Sequence, residues 1–378
     1  MKVTVLMAVH NGEPYVREAV RSVLDQTFDD FEFVIVDDAS TDGTARTIAE
    51  FDDHRIRVLR NELNLGQVPS LNRGLREARG EYVARIDADD ACLPTRLARQ
   101  VEVLDAEPRV CLVGTWMQAV DERGRPLGRL EKRLDDYVEL VYHTLIMRVY
   151  VSHPAAMYRR EPVLALGAYD EATGPSEDKD LWRKLVLERC EARIVPEILV
   201  RYRLHSEQLS QTRAEYQRRI DGESQDRFLR QLAPDAPVTA VRMLLAGDAE
   251  AWSYEAEPML RGVELVLAGA RERLALEDVE ARRLETLVAG RLLDVALANP
   301  WHPSARAVAA YAVAHLPADD RSATRRRRAR ALVVAPMRAS GRRALRRAVD
   351  VPGLAALRAR ARRSRIARRL YGRAIGSE

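Results

Sequence analysis

Apolar positions in the first ninety residues fall into short runs rich in Val, Ile and Phe, and the runs alternate with stretches whose apolar residues recur every three to four positions. Val3 to Val9, Phe31 to Val36, Ile56 to Leu59 and Tyr82 to Ile86 read as strands; Glu13 to Leu24, Thr44 to Phe51 and Val68 to Ala78 read as helices. Strands and helices alternating at this spacing predict βαβ units and an α/β class with a mostly parallel sheet. Most of these strands are nearly continuous apolar runs, which predicts helices on both faces of the sheet. In such sheets a ligand sits beyond the carboxyl ends of the strands. That rule singles out His10-Asn11, Asp37-Asp38 and Asp87 to Asp90, each just past a predicted strand.

Beyond Pro94 the pattern predicts a helix to Leu104, a strand over Val110 to Val120 and a turn-rich segment from Asp121 to Gly128. Val151 to Arg160 and Ile194 to Leu204 read as extended, with a helix over Leu181 to Glu188 between them. After about residue 210 strand signals vanish and helical patterns such as Arg271 to Leu297 take over. A chain of 378 residues exceeds one ordinary domain. The division read from these patterns is a catalytic α/β domain over 1–212, a helical region over 213–320 and an arginine-rich tail over 321–378.

Charge changes the picture at that tail. The net charge of the whole chain is only +4, yet residues 321–378 hold nineteen arginines against two acids, so the remainder is net acidic. Arginine clusters alternating with short apolar groups predict either basic helices lying on an anionic membrane or a solvated, disordered tail. Nucleic-acid binding ranks below membrane contact, because aromatic interleaving is nearly absent. No apolar run approaches the roughly 18 residues of a transmembrane helix, and the N-terminus runs directly into a strand with no leader pattern. The expected location is the cytoplasm, with the tail peripheral at the inner face of the membrane. Cys92, Cys111 and Cys190 are widely spaced and form no C-x-x-C pair, so they are expected to be isolated thiols.

Three segments carry candidate chemistry. Asp87, Asp89 and Asp90 crowd three carboxylates into four residues at a strand end, an arrangement that repels itself unless a cation compensates. A hard divalent ion, Mg²⁺ or Mn²⁺, fits oxygen ligands of this kind and commonly holds a diphosphate as well; a solvated acidic turn is the plainer alternative. Asp37-Asp38 closes an apolar strand and can accept hydrogen bonds from a nucleoside, while Ser40 to Asp42 reads as a helix cap. Glu177-Asp178 precedes a predicted helix, where the pair either complements the helix dipole or supplies a general base for a hydroxyl. His153 and His205 are lone histidines, and His205 gains interest only as an extra metal ligand.

Taken together, Ala8 to Glu13, Val36 to Thr44, Asn61 to Gly66 with Asn72 and Gly74, Gly80 to Tyr82, Asp87 to Asp90, Ser176 to Trp182 and Tyr202 to Ser210 resemble a family 2 glycosyltransferase of the inverting, GT-A type. The match covers more than half the chain; His10 stands where the family often has tyrosine. The resemblance implies a nucleotide-sugar donor and an acceptor hydroxyl on a glycan, glycolipid or other compound. It implies that Asp38 holds a uracil or thymine edge, with backbone around Val9 and the Glu13 side chain shaping the nucleoside pocket. Asp87 would lie near the ribose or metal, Asp89 would bind the metal, and His205 would add a metal or diphosphate contact. Asp178 would be the base, with Glu177 beside it contacting donor or acceptor sugar.

Rival classes fit less well. A nicotinamide dehydrogenase wants G-x-G-x-x-G after the first strand, and a nucleotidyltransferase wants a glycine-rich basic loop there; residues 10–15 supply one glycine and no lysine or arginine. A non-catalytic sugar-nucleotide binder would show similar binding residues, and Asp178 together with Asp89 weighs against it.

Overall fold

The computed structural model describes residues 1–206, 208 and 213–317. At its centre is a nine-stranded sheet made of β1 (Val3–Val9), β2 (Phe31–Asp37), β3 (Ile56–Arg60), β4 (Tyr82–Arg85), β5 (Ala91–Cys92), β6 (Val110–Val120), β7 (Pro126–Leu130), β8 (Met157–Arg159) and β9 (Glu191–Arg203). The strand order is β3-β2-β1-β4-β8-β6-β9-β5, with β7 beside β6. The first four strands are parallel. β8 enters antiparallel between β4 and β6, and β6 and β9 are parallel again. The sheet is therefore mixed, with its parallel block in the N-terminal half; apolar periodicity reports that a strand exists and says little about its direction.

Both faces are covered, as the continuous apolar strands require. Val3, Val5, Met7 and Val9 of β1 and Phe31, Phe33 and Ile35 of β2 pack toward α1 (Val16–Leu24), α2 (Thr44–Ala49) and α4 (Arg96–Ala106). The alternate residues, Leu6, Val34 and Val36, pack on the other side with α3 (Gln67–Glu77), α5 (Tyr137–Leu145) and α7 (Glu177–Leu187); α6 is the short Arg160–Ala165. This period of two places successive side chains in opposite cores.

Five further helices follow: α8 (Ala214–Leu232), α9 (Val238–Ala246), α10 (Ala256–Arg273), α11 (Asp278–Ala298) and α12 (Pro303–His315). They extend the second core: Phe228, Leu244, Val263, Leu292 and Val308 belong to the same apolar cluster as Val138, Leu181 and Trp182. Helix α8 also grips α7 through buried polar groups. Arg183 donates to Asp221 Oδ1 at 2.5 Å, Gln225 Oε1 at 2.7 Å and Ser224 Oγ at 3.1 Å. Lys179 Nζ reaches Asp221 Oδ2 at 2.6 Å, and Ser224 donates to Asp180 at 2.6 Å.

Four expectations need correction. The stretch read as extended over 151–160 contains a helical turn, His153–Ala155, and only Met157–Arg159 pairs as a strand; Pro154 has no N–H to give a ladder. The helix read from Leu181 starts at Glu177, so the carboxylate pair lies in its first turn. The helical pattern from Arg271 to Leu297 breaks at Ala275, whose φ is 45°, and restarts with a reciprocal Glu277–Glu280 capping box. Cys111 and Cys190, read as isolated thiols, are bonded to each other with their Cα atoms 5.4 Å apart; pairing β6 with β9 brings together two cysteines that lie 79 residues apart. The basic tail over 321–378 lies outside the described residues, as do Glu207, Leu209 and Ser210. No helix among the described residues is long and apolar enough to cross a membrane.

Candidate active site

The loops after β1 and β2 are stitched into one wall. Asn11 N donates to Ser40 Oγ at 3.0 Å, Thr41 N to Asn11 Oδ1 at 2.8 Å, Gly12 N to Thr44 Oγ1 at 2.8 Å and Glu13 N to Asp42 Oδ2 at 3.1 Å. Asn11 and Ala39 adopt positive φ, 53° and 55°, and this lattice of bonds holds that strained backbone in place. Asp42 Oδ1 accepts from Thr44 N, the first residue of α2, at 3.0 Å, while the N-cap position itself is Gly43 and carries no side-chain cap. The Glu13 carboxylate turns toward α2, accepting from Gly43 N at 3.1 Å; a Cβ on Gly43 would fall 2.2 Å from Glu13 Oε1, so only glycine permits this approach. Val9 is buried and contributes its carbonyl, which accepts from Asp38 N at 2.8 Å.

Asp38 is buried and clamps the loop after β3. Its Oδ1 accepts from Asn61 Nδ2 at 2.7 Å and Leu65 N at 2.9 Å, and its Oδ2 accepts from Gly66 N at 2.8 Å. Gly66 has φ of 94°, a conformation open mainly to glycine. A carboxylate offers about four lone-pair sites, so roughly one remains for a ligand N–H or hydroxyl. Beside it opens a cavity of about 550 Å³ lined by Ala39, Ser40, Thr41, Arg60, Asn61 and Glu62, at the carboxyl ends of β2 and β3.

The acidic loop follows β4. Carboxylate oxygens of Asp87, Asp89 and Asp90 lie within 4.8 Å of one another, an arrangement able to hold a metal ion. Burial pushes the Asp87 carboxyl up, opposed by Arg85, whose Nη2 stands 2.5 Å away. Burial, then Asp89 and Asp87, hold the Asp90 carboxyl well above the usual range, and its Oδ2 is buried with no partner. Three crowded carboxylates with an orphaned oxygen suit an oxygen-seeking divalent cation. His205 Nε2 lies 2.9 Å from Asp89 Oδ2. Arg203 fixes the loop: its backbone N donates to Asp90 Oδ1 at 2.8 Å, its Nε to the Asp89 carbonyl at 3.0 Å and its Nη2 to Glu18 at 2.5 Å.

The third component is the first turn of α7. The Asp178 side chain is half-buried, forms no ion pair among the described residues, and accepts locally from the backbone N–H of Lys179. Burial raises its pKa, partly offset by Lys179. Glu177 is buried, its Oε2 has no partner, and burial followed by the charge of Asp178 pushes it up to about 7. Arg85 is fully buried, and its charge acts on Asp87 and Glu177 alike. His153 Nε2 meets the Tyr169 hydroxyl at 2.9 Å; burial, then Arg85, lower its pKa well below the usual value, so it is neutral. The charge of Asp178 adds to the upward push on the Asp87 carboxyl, so the first turn of α7 lies within electrostatic reach of the acidic loop.

The sequence reading gave no role to Arg85 or Arg203. A lone arginine ending an apolar strand is the signal that marks Arg85, since such a charge must be paired or ligand-linked.

The sequence model of glycosyl transferase family 2 matches residues 4–167. An uncharacterized glycosyltransferase of Methanocaldococcus jannaschii is 32% identical over 206 residues, spanning 53% of this chain and 70% of that protein. The chain belongs to glycosyl transferase family 2. The O-antigen biosynthesis glycosyltransferase WbnJ of Escherichia coli is 27% identical over 57% of this chain and 84% of its own length. Among solved structures, TarS of S. aureus superposes with a TM-score of 0.50 at 17% identity, covering 83% of this chain and 54% of that one, a likeness of fold. The fold is GT-A, and this family 2 member is a glycosyltransferase.

Proposed function

We propose that this glycosyltransferase moves a sugar, with inversion, from a UDP- or dTDP-sugar to an acceptor hydroxyl in the assembly of a polysaccharide, glycolipid or glycoconjugate. The observation that carries the reading is a crowded carboxylate triad touched by His205, within electrostatic reach of the half-buried Asp178, which forms no ion pair among the described residues. Asp38, the Val9 backbone and the loop shaped by Glu13 hold the nucleoside, and Asp87 lies toward the ribose. Asp89 and His205 would hold a divalent cation, Mn²⁺ or Mg²⁺, which would supply Lewis-acid neutralisation of the diphosphate charge. Asp178 takes the proton of the acceptor hydroxyl as its oxygen attacks the anomeric carbon opposite the leaving phosphate. Glu177, beside Asp178, contacts the donor or acceptor sugar. The Escherichia coli relative, an O-antigen biosynthesis glycosyltransferase, supports the acceptor class.

A screen of UDP-, dTDP- and GDP-sugars, with and without Mn²⁺, tests the reading by donor hydrolysis and calorimetric binding. Metal-dependent binding of one nucleotide series supports it; neither binding nor turnover with any overturns it. We also propose that the arginine-rich residues 321–378 hold the protein at the inner membrane face, tested by salt-sensitive binding to acidic liposomes.

A further inference from the structure

Basic side chains gather near the first turn of α7. Lys132, in the connection between β7 and α5, is half-buried, and its Nζ donates to Ser152 Oγ at 2.8 Å. Its carbonyl accepts from Trp116 Nε1 at 2.7 Å, so the residue is fixed at both ends. Ser152 precedes His153, whose Nδ1 stands 3.7 Å from Glu177 Oε1, which sets Lys132 on the Glu177–Asp178 side of the site. Arg148, exposed after α5, acts on Lys132 electrostatically, as do Lys179 and Asp178. The same two cations, Arg148 and Lys132, bear on His143, whose Nδ1 is buried without a partner.

Of these cations Lys179 is neutralised by Asp221. Lys132 and Arg148 pair with no carboxylate among the described residues. A partly desolvated ammonium whose one partner is a neutral hydroxyl, set near a second cation, is unfavourable until an anion joins them. The carboxylate of Asp178 is too distant to form an ion pair with it and is occupied with the acceptor proton in the proposed reaction.

We propose that Lys132 and Arg148 form an anion subsite for the acceptor, so that the acceptor carries a phosphate or carboxylate group close to the hydroxyl that Asp178 deprotonates. This rests on the reading that the acceptor enters at Asp178. In the transfer the hydroxyl oxygen forms the new bond to the anomeric carbon, the bond from that carbon to the diphosphate oxygen breaks, and the nucleoside diphosphate leaves with the electron pair. The acceptor's anionic group takes no part in bond making; it fixes the hydroxyl over the carboxylate.

The test uses the full chain saturated with Mn²⁺ and UDP, so that the donor's phosphate positions are filled. Calorimetry then follows glycerol 3-phosphate, glucuronate and, as neutral controls, glycerol and glucose. At least one anion binds and the neutral compounds do not; preference between the two anions separates a phosphate from a carboxylate. Lys132→Met and the exposed Arg148→Gln each weaken the anion about tenfold or more, the size of losing one charge-assisted hydrogen bond. Lys132→Arg restores it, and Mn²⁺–UDP affinity is unchanged in all three. Anion binding that is absent, or untouched by both substitutions, overturns the subsite. Equal weakening of UDP assigns the two cations to the donor diphosphate and also overturns it. If Mn²⁺ and UDP fail to bind the wild-type chain, the donor reading falls and takes this inference with it; if they bind and the anions do not, the inference alone fails.

Discussion

His205 and Asp89, 116 residues apart in the chain, meet with Nε2 of the histidine 2.9 Å from Oδ2 of the carboxylate. The contact joins the end of β9 to the loop after β4, so the fold sets an imidazole nitrogen against a carboxylate that lies in a different segment.

Asp89→Asn removes the carboxylate charge from that contact. Mn²⁺ affinity, followed by paramagnetic resonance, should fall by more than tenfold, and His205→Ala should lower it by about tenfold or more, since losing a ligand costs at least as much as losing a residue that supports one. Excess chelator should abolish transfer by the wild-type protein. Undiminished transfer after exhaustive chelation would remove the metal from the account.

Asp178→Asn keeps the shape of the side chain and deletes its charge. Transfer should drop about 10² to 10⁴ fold while nucleotide affinity stays unchanged, because the groups around Asp38 and Asp89 are untouched. The pKa of Asp178 is raised above the ordinary 3.8 by burial, and a base works only when deprotonated. The acidic limb of the pH–rate profile should therefore lie above the ordinary carboxylate range and vanish in the variant. A carboxylate that merely complements the helix dipole would leave turnover of the folded protein near normal.

Glu177 makes the stability of the fold depend on pH in an uncommon direction. Its pKa rises from the ordinary 4.5 to about 7 on folding, first through burial and then through Asp178. Its contribution is fully present below about pH 4.5 and is lost as pH rises toward 7. Glu177→Gln should remove this dependence and raise stability at pH 8 by up to a few kcal/mol. Urea unfolding of both proteins at pH 5.5 and pH 8 measures it; identical pH dependence in the two would contradict the assignment.

Arg183 and Asp221 lock α7 to α8. Breaking a buried pair by removing one partner costs about 3 to 5 kcal/mol. Arg183→Met should show a loss of that size in urea, and kcat should fall further than KM rises in the folded fraction, since α7 carries Asp178. A purely structural tie would change stability and leave kcat per folded molecule intact.

The parallel block was legible because its strands are covered on both sides and so read as apolar runs, as in residues 33–36 of β2. The crowded Asp87, Asp89 and Asp90 were legible because like charges so close demand an explanation. The clamp on Asp38 was not, since two of its three donors are the backbone N–H groups of Leu65 and Gly66, which leave no side-chain signature. Lys132 and Arg148 stand in irregular segments where periodicity has nothing to report. The Cys111–Cys190 bond was misread because spacing alone says nothing of cysteines joined through strand neighbours.

The helices after Ala214 and the sheet share one apolar interior, and that limits how the chain can be cut. A fragment ending before α8 would uncover Leu181, Trp182 and Val138 together and strand Arg183 without Asp221, Ser224 and Gln225. Such a piece would hold every residue named in the reaction and still be prone to aggregate, so a minimal enzyme or a specificity chimera needs its junction after α12.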